Sequence, residues 1–201
     1  MFSVPPPVII PVTPPALVAT TSIPNVPFYS QFEDITYSAW QKVGCGVASL
    51  AMVIDFYKTS GVSVDTVLGQ ATSSGAYNKS AGWTYSGLIG VAKQYGLQGS
   101  SYDLAKLSTA AAYTKMNEYA KDGPVIASVH YKFDPKSTIP HLVVIDGIKD
   151  GIVYYNDPAA KLGEKHISTA DFLKAWKKRF IVIRPTKESG VVALANQRSK
   201  D

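Results

Sequence analysis

Apolar positions follow two different rhythms along this chain, and the change comes at Gly123-Pro124. Before it they recur at helical spacing. Val43 to Tyr57 is apolar on nearly every face for about four turns, the pattern of a helix buried all round. Val64 to Ala71 predicts a short helix with Ser63 as its cap. Thr84 opens a helix through Tyr95, in which Leu88, Ile89, Val91 and Ala92 form a stripe and Gly96 supplies the stop. Ser108 opens another from Thr109 to Lys121, with Ala112, Met116 and Tyr119 on one side.

After Pro124 the runs become short, rich in Val, Ile and Tyr, and bounded by Gly, Pro and Asp. Residues Val125 to Tyr131, Leu142 to Ile148, Ile152 to Asn156 and Phe180 to Arg184 predict strands of an antiparallel sheet. Ser168 to Lys177, with Phe172, Leu173 and Trp176 on one side, predicts a helix interrupting them. Ahead of all this, Val26 to Gln31 forms a short extended segment, and a loop carrying Tyr37, Trp40 and Gln41 leads to the buried helix. Helices first and strands afterwards predict an α+β domain rather than alternating βαβ units.

Composition sets the outer limits. With 201 residues, 46% of them hydrophobic and 17% charged, the chain can bury one substantial core and carries no disorder signature over its body. No apolar run approaches the ~20 residues of a membrane helix. The first 24 residues hold seven prolines and lack both the basic start and the unbroken apolar core of a secretory signal. The expected organisation is a Pro-rich arm or linker over 1–24, a folded domain over 25–186, and a polar, frayed tail over 187–201.

The net charge is +5, densest at Lys174, Lys177, Lys178 and Arg179. That group either attracts an acidic polymer such as a nucleic acid or wall glycan, or is the solvated face of the late helix; the second reading is preferred, and no nucleic-acid partner is expected. A single cysteine excludes an internal disulfide. One cysteine and three dispersed histidines lack metal-ligand spacing, and no Gly-rich phosphate loop follows a strand, so neither metal nor cofactor is expected.

That cysteine, Cys45, stands between Gly44 and Gly46 at the first turn of the buried helix. Unpaired N–H groups and the helix dipole there favour a thiolate, and the flanking glycines are expected to leave room for a substrate backbone. A lone cysteine is more often a small buried hydrophobe; a base and its orienting group decide the matter. His130 lies within an apolar strand and His166 in a polar stretch. His141, by contrast, opens Pro140-His141-Leu142-Val143-Val144 at the lip of a buried strand, and Asp157 ends the next one.

Their pairing depends on the turn between the strands, because one residue of register flips every side chain to the other face. A two-residue turn at Asp150-Gly151 alone puts His141 and Asp157 on opposite faces. A three-residue loop, Lys149-Asp150-Gly151 with Gly151 left-handed, or an equivalent bulge, sets Val143 opposite Asp157 and brings both groups to one face. The second arrangement is expected. Trp83, Tyr85 and the tyrosines at 29, 37, 77 and 131 are candidates to line a cleft.

The ordered set Gln31, Gly44-Cys45-Gly46 with Leu50-Ala51-Met52, Gly123-Pro124-Val125, His141 to Val144, Asn156-Asp157-Pro158 and the helix around Phe172 to Trp176 resembles the papain-like cysteine peptidases of family thirty-nine. These are the bacteriocin-processing, double-glycine-leader peptidases and their stand-alone relatives, and the likeness runs from about Val26 to Pro185. It implies a papain-like α+β fold, with an N-terminal helical half whose central helix begins at the cysteine, packed on a C-terminal antiparallel sheet. It implies Cys45 as nucleophile, His141 as general base and acid, and Asp157 as the group orienting the imidazole, with peptide hydrolysis through a thioester. A glutamine upstream assists the oxyanion. Gln31 and Gln41 compete for that role, and Gln31 is preferred because it follows an extended Val-Pro-Phe-Tyr-Ser segment as in the stand-alone relatives.

The resemblance also points to a peptide or protein substrate and to a bacterial extracellular or cell-envelope setting. Val47 departs from the proline many relatives carry there but leaves the chemistry possible, and the lack of the exporters' transporter domains in this sequence puts their double-glycine substrate in question. Two other readings stand beside the peptidase: a non-catalytic papain-like binding or inhibitory module, and an amide hydrolase acting on cell-wall cross-links.

Overall fold

Helices and strands meet where the sequence rhythm changes. A computed structural model describes residues 23–59 and 61–186; the Pro-rich arm up to residue 22 and the polar tail over 187–201 lie outside the described residues. A short helix α1 (Ser38–Gln41) leads into the long α2 (Cys45–Lys58), followed by α3 (Val64–Ser73), a two-stranded ribbon of β1 (Tyr77–Asn78) and β2 (Gly82–Trp83), and α4 (Tyr85–Gln94). Strand β3 (Leu97–Asp103) and helix α5 (Thr109–Ala120) precede β4 (Val125–His130), β5 (Pro140–Lys149) and β6 (Ile152–Asn156). The chain closes with β7 (Lys165–Ser168), α6 (Thr169–Ala175) and β8 (Trp176–Pro185).

The main sheet has six strands in the order β3-β8-β4-β5-β6-β7, every pair antiparallel. Its two faces are buried by different helices. Ile126, Leu142, Val144, Ile181 and Ile183 join α2, α3 and α4 in one core. Their neighbours Val125, Ala127, Val143, Ile145, Phe180 and Val182 join α5 and α6 in a second. Burial on both faces is why these strands carry unbroken apolar runs instead of alternating ones.

Two of the three expected helix caps form. Thr84 accepts from Gly87 N–H and Ser108 from Ala111 N–H, as the residue types predict. Ser63 precedes α3 but makes no side-chain cap bond. The late helix stops at Ala175 instead of Lys177, because Trp176 turns extended and starts β8. Lys177, Lys178 and Arg179 therefore sit on a strand, not on the solvated face of a helix.

Strand β3 had no apolar signal. Leu97-Gln98-Gly99-Ser100-Ser101-Tyr102-Asp103 is an edge strand, and only Leu97 of it is buried. It holds its place through seven residue pairs with β8.

Candidate active site

Helix α2 begins at Cys45, with Gly44 as its N-cap, so the Cys45 N–H has no partner within the helix. From Gly46 to Asp55 the helix is buried throughout, while Cys45 is partly exposed. The glycines on either side do not make room for substrate. A Cβ on Gly46 would stand 2.7 Å from the Trp83 ring, and one on Gly44 would strike the Ile35 side chain, so both allow close packing of the protein on itself. Trp83 is held there by its indole N–H, which donates to Val43 O at 2.6 Å.

One turn beyond Cys45 on the same side of α2, the Ser49 hydroxyl donates to Leu142 O at 3.3 Å. This ties the helix to β5 one residue after His141. Two groups act on the His141 imidazole: Nε2 meets Asp157 Oδ1 at 2.6 Å, and the Cys45 thiol, in the same cleft, helps raise the ring's pKa. Asp157 Oδ1 is itself fixed by Ala159 N–H at 2.8 Å. Tyr131 stands edge-on to the imidazole, with ring centroids 5.2 Å apart and planes at 90°. Burial pushes the His141 pKa down, but the hydrogen bonds and charges of Asp157 and Cys45 outweigh it and raise it to about 9.

The register that brings His141 and Asp157 together comes from a bulge. The turn is the two-residue one: Lys149 pairs with Ile152, and both Asp150 (φ 51°) and Gly151 (φ 77°) are left-handed, the conformation of a type I′ hairpin. Asp146 is then an extra residue on β5, since Ile145 pairs with Tyr155 but Gly147 with Tyr154. Beyond it Val144 pairs with Asn156, and continuing that register sets Val143 opposite Asp157. The three-residue loop is thus replaced by the equivalent bulge, and both groups fall on one face.

Asp146, buried at the bulge, receives the Asn156 side-chain N–H₂ at 3.2 and 3.3 Å. Asn156 also donates to Val26 O at 3.2 Å, and its Oδ1 accepts from Glu164 N–H at 2.8 Å. Burial, opposed by the Asn156 hydrogen bond and reinforced by the Glu164 charge, lifts the Asp146 carboxyl to about 8. Sequence reading passed over Asp146 because nothing in Ile145-Asp146-Gly147 marks a bulge except the buried polar residue beside a glycine.

The two candidate glutamines do different jobs. Gln31 is buried, lines the cleft beside Cys45, and donates through Nε2 to Gln41 O at 2.6 Å, while its backbone N–H is anchored on Pro158 O at 2.8 Å. Its Oε1 is buried with no hydrogen-bond partner among the described residues. The Gln41 side chain points into its own loop and donates to Phe32 O and Ile35 O at 3.1 and 2.8 Å.

A cleft of about 680 Å³ opens between the start of α2 and the sheet, lined by Gln31, Cys45, Trp83, Tyr85, Tyr131 and His141 among others. Tyr77 lines it too; Tyr29 and Tyr37 do not, the first bonding Asp55 and the second being exposed. His130 is held by Ser137 O at 2.6 Å, and His166 lies beside Tyr154, both away from the cleft. The described residues hold no cluster of three His, Cys, Asp or Glu side chains suited to a metal, and no helix among them is long and apolar enough to cross a membrane.

The family model described as the Peptidase_C39 like family matches residues 23–182. The chain belongs to this family. Among solved structures, it is similar to a double glycine motif protease from an AMS/PCAT transporter in complex with the leader peptide, at 26% identity and a TM-score of 0.58, covering 83% of this chain and 96% of that one. The peptidase domain of Streptococcus ComA, a bifunctional ABC transporter of a quorum-sensing pathway, matches at 22% identity and a TM-score of 0.55, over 72% of this chain and 93% of its own. A protein from Bacillus anthracis described as a C39-like peptidase matches at 20% identity and a TM-score of 0.57, over 82% and 96%. No curated protein matches the chain. Family and fold are those of the C39 cysteine peptidases, and the six-stranded antiparallel sheet with the cysteine helix against it is their papain-like α+β architecture.

Proposed function

We propose that this chain hydrolyses peptide bonds through a Cys45-His141-Asp157 triad assisted by Gln31, within a peptidase unit spanning about 25–186. One observation carries the reading: the His141 imidazole meets Asp157 Oδ1 at 2.6 Å and lines the same open cleft as Cys45, whose thiol helps raise the ring's pKa. Asp157 fixes the ring and stabilises its cationic form, so the Cys45 sulfur attacks as the thiolate of an ion pair. A C–S bond forms to the substrate carbonyl carbon as its oxygen becomes an oxyanion. The Cys45 N–H, unpaired within the helix, and the second Nε2 proton of Gln31 meet that charge.

Collapse of this intermediate breaks the C–N bond, and His141 gives its proton to the departing amine. The thioester left on Cys45 is then attacked by water. His141 takes one proton from that water and returns it to the sulfur as the acid product leaves.

The test is selective alkylation of Cys45 by iodoacetamide or the epoxide E-64 at neutral pH, together with peptide-library cleavage by the chain and by its Cys45→Ala and His141→Ala variants. Selective labelling and cleavage lost in both variants are expected. An inert thiol with no cleavage would establish a binding module instead, and cleavage confined to cell-wall fragments an amide hydrolase of cross-links.

A further inference from the structure

The floor of the cleft is a single row of residues crossing four strands. Leu142 on β5 pairs with Ser128 on β4, Ser128 with Arg179 on β8, and Arg179 with Asp103 on β3, and all four line the cleft. At the third strand the ladder is broken. Ser128 pairs with Arg179 but the next residue, Val129, pairs with Trp176, so Lys177 and Lys178 are extra. Lys178 takes a left-handed φ of 55°, a conformation that costs a residue with a Cβ, and Trp176 Nε1 closes the bulge on Arg179 O at 3.2 Å.

The bulge sends its two lysines to different places. Lys178 Nζ donates to Ala105 O and Leu107 O at 3.3 and 2.8 Å, under the loop before α5. Lys177 instead lines the cleft, and among the described residues it has neither an ion pair nor a hydrogen bond. Burial, and then the neighbouring Arg179 charge, pull its pKa down, so this is a cation without the counter-ion its setting favours. Arg179 spends Nε on Asp103 Oδ2 at 2.9 Å, and no Nη bond is made among the described residues. Lys42 adds a third cation to the lining, against the single acidic side chain of Asp103.

Bulges re-aim side chains beside active sites, and this one places two cations at the end of a peptide-sized cleft. We infer that Lys177 and Arg179 form a subsite for an acidic side chain of the substrate, selecting peptides with Asp or Glu a few residues from the scissile bond. The inference rests on the peptidase reading. Its spacing follows from the sheet: Arg179 lies two strands from Leu142, roughly 10 Å at ~4.8 Å per strand, which an extended chain covers in about three residues.

Peptides cleaved by the chain and differing only in Glu or Gln at one position, scanned over four residues on each side of the bond, test this directly. At one position two to four residues from the bond, Glu should raise kcat/KM about tenfold over Gln, the worth of one charge-assisted hydrogen bond. The preference should shrink in about 0.5 M salt, which screens partly exposed charges. Lys177→Met should remove most of it and Lys177→Arg restore it, whereas Lys161→Met, which removes one exposed lysine outside the cleft, should leave it intact. Equal rates for Glu and Gln at every position overturn the inference and leave the peptidase reading standing. If no peptide is cleaved, that reading falls, and fluorescence anisotropy of the same peptides on the Cys45→Ala protein decides: tighter binding of the Glu forms upholds the cation subsite, and equal binding overturns it.

Discussion

The two walls of the cleft are built by opposite means. The helical wall delivers Cys45 locally: one apolar run makes α2, and the cysteine stands at its start because the run begins there. The sheet wall delivers His141 and Asp157 from residues 16 apart, through a hairpin whose register is correct only because Asp146 is inserted. A nucleophile can therefore be placed by a pattern, while a base and its orienting carboxylate need a pairing between strands. The helical wall should tolerate loss of a reactive group without structural cost, and the sheet wall should not.

The largest effect is expected where the sheet wall meets the chemistry. Asp157→Ala should lower kcat/KM by roughly 10²–10⁴-fold, as removal of an orienting carboxylate does. It should also move a pH profile. Asp157 is a principal cause of the raised His141 pKa of about 9, so its loss lowers that pKa and the alkaline limb of kcat shifts to lower pH. The sign for stability follows: a folded pKa above the ordinary 6.5 contributes stability fully present below 6.5 and lost as pH rises through about 9. The gap in unfolding free energy between wild type and variant should close over that window in urea titrations. An unchanged alkaline limb would separate Asp157 from His141.

Gln31→Ala comes next. Loss of one oxyanion donor should cost roughly a hundredfold in kcat with KM little changed. Gln41→Ala should instead lower stability by about 1 kcal/mol per lost bond, for two bonds to its own loop. A larger fall in kcat for Gln41→Ala than for Gln31→Ala would reverse the assignment.

This contrast explains what could be read in the sequence. Cys45, α2 and the capped helices rest on local spacing, and they appear where the pattern puts them. The face shared by His141 and Asp157 was legible as a requirement, yet the device that meets it was not, because a bulge at Asp146 leaves no periodic trace. The same limit hid β3, a polar edge strand defined by its partner, and it misplaced Lys177 and Arg179, which a second bulge turns from an expected helix face into the cleft. The glycines beside Cys45 face the protein itself: the Trp83 ring, 37 residues beyond Gly46, and the Ile35 side chain at Gly44 fill the space that sequence spacing left for substrate.

Asp146→Asn probes the cost of the sheet wall's device. With its carboxyl lifted from 3.8 to about 8, Asp146 contributes stability that is fully present below 3.8 and is lost as pH rises to about 8. The neutral amide should therefore stabilise the fold by about 1–3 kcal/mol near neutral pH, since it enters the buried site without the proton that the carboxyl must take up on folding. The gain should grow from acid to pH 8 and then level off, as read by thermal melts across pH. A gain that does not change with pH would show that ionisation is not the burden at this bulge.

The smallest effect should come from a bond that joins the walls. Ser49, one turn past Cys45, holds Leu142 O beside His141 at 3.3 Å. Removing a buried hydroxyl and leaving that carbonyl without its partner should cost about 1 kcal/mol of stability by denaturant titration. If the bond also sets the distance from sulfur to imidazole, Ser49→Ala should lower the Cys45 alkylation rate at neutral pH about threefold or more, given how sharply rates respond to small misplacements. Ser49→Thr, which keeps the hydroxyl, should recover part of that rate even if its extra methyl costs stability by overpacking. An alkylation rate that follows stability alone in both variants would mean that core packing of α2 on β5 aligns the walls, with the hydroxyl adding only its own bond.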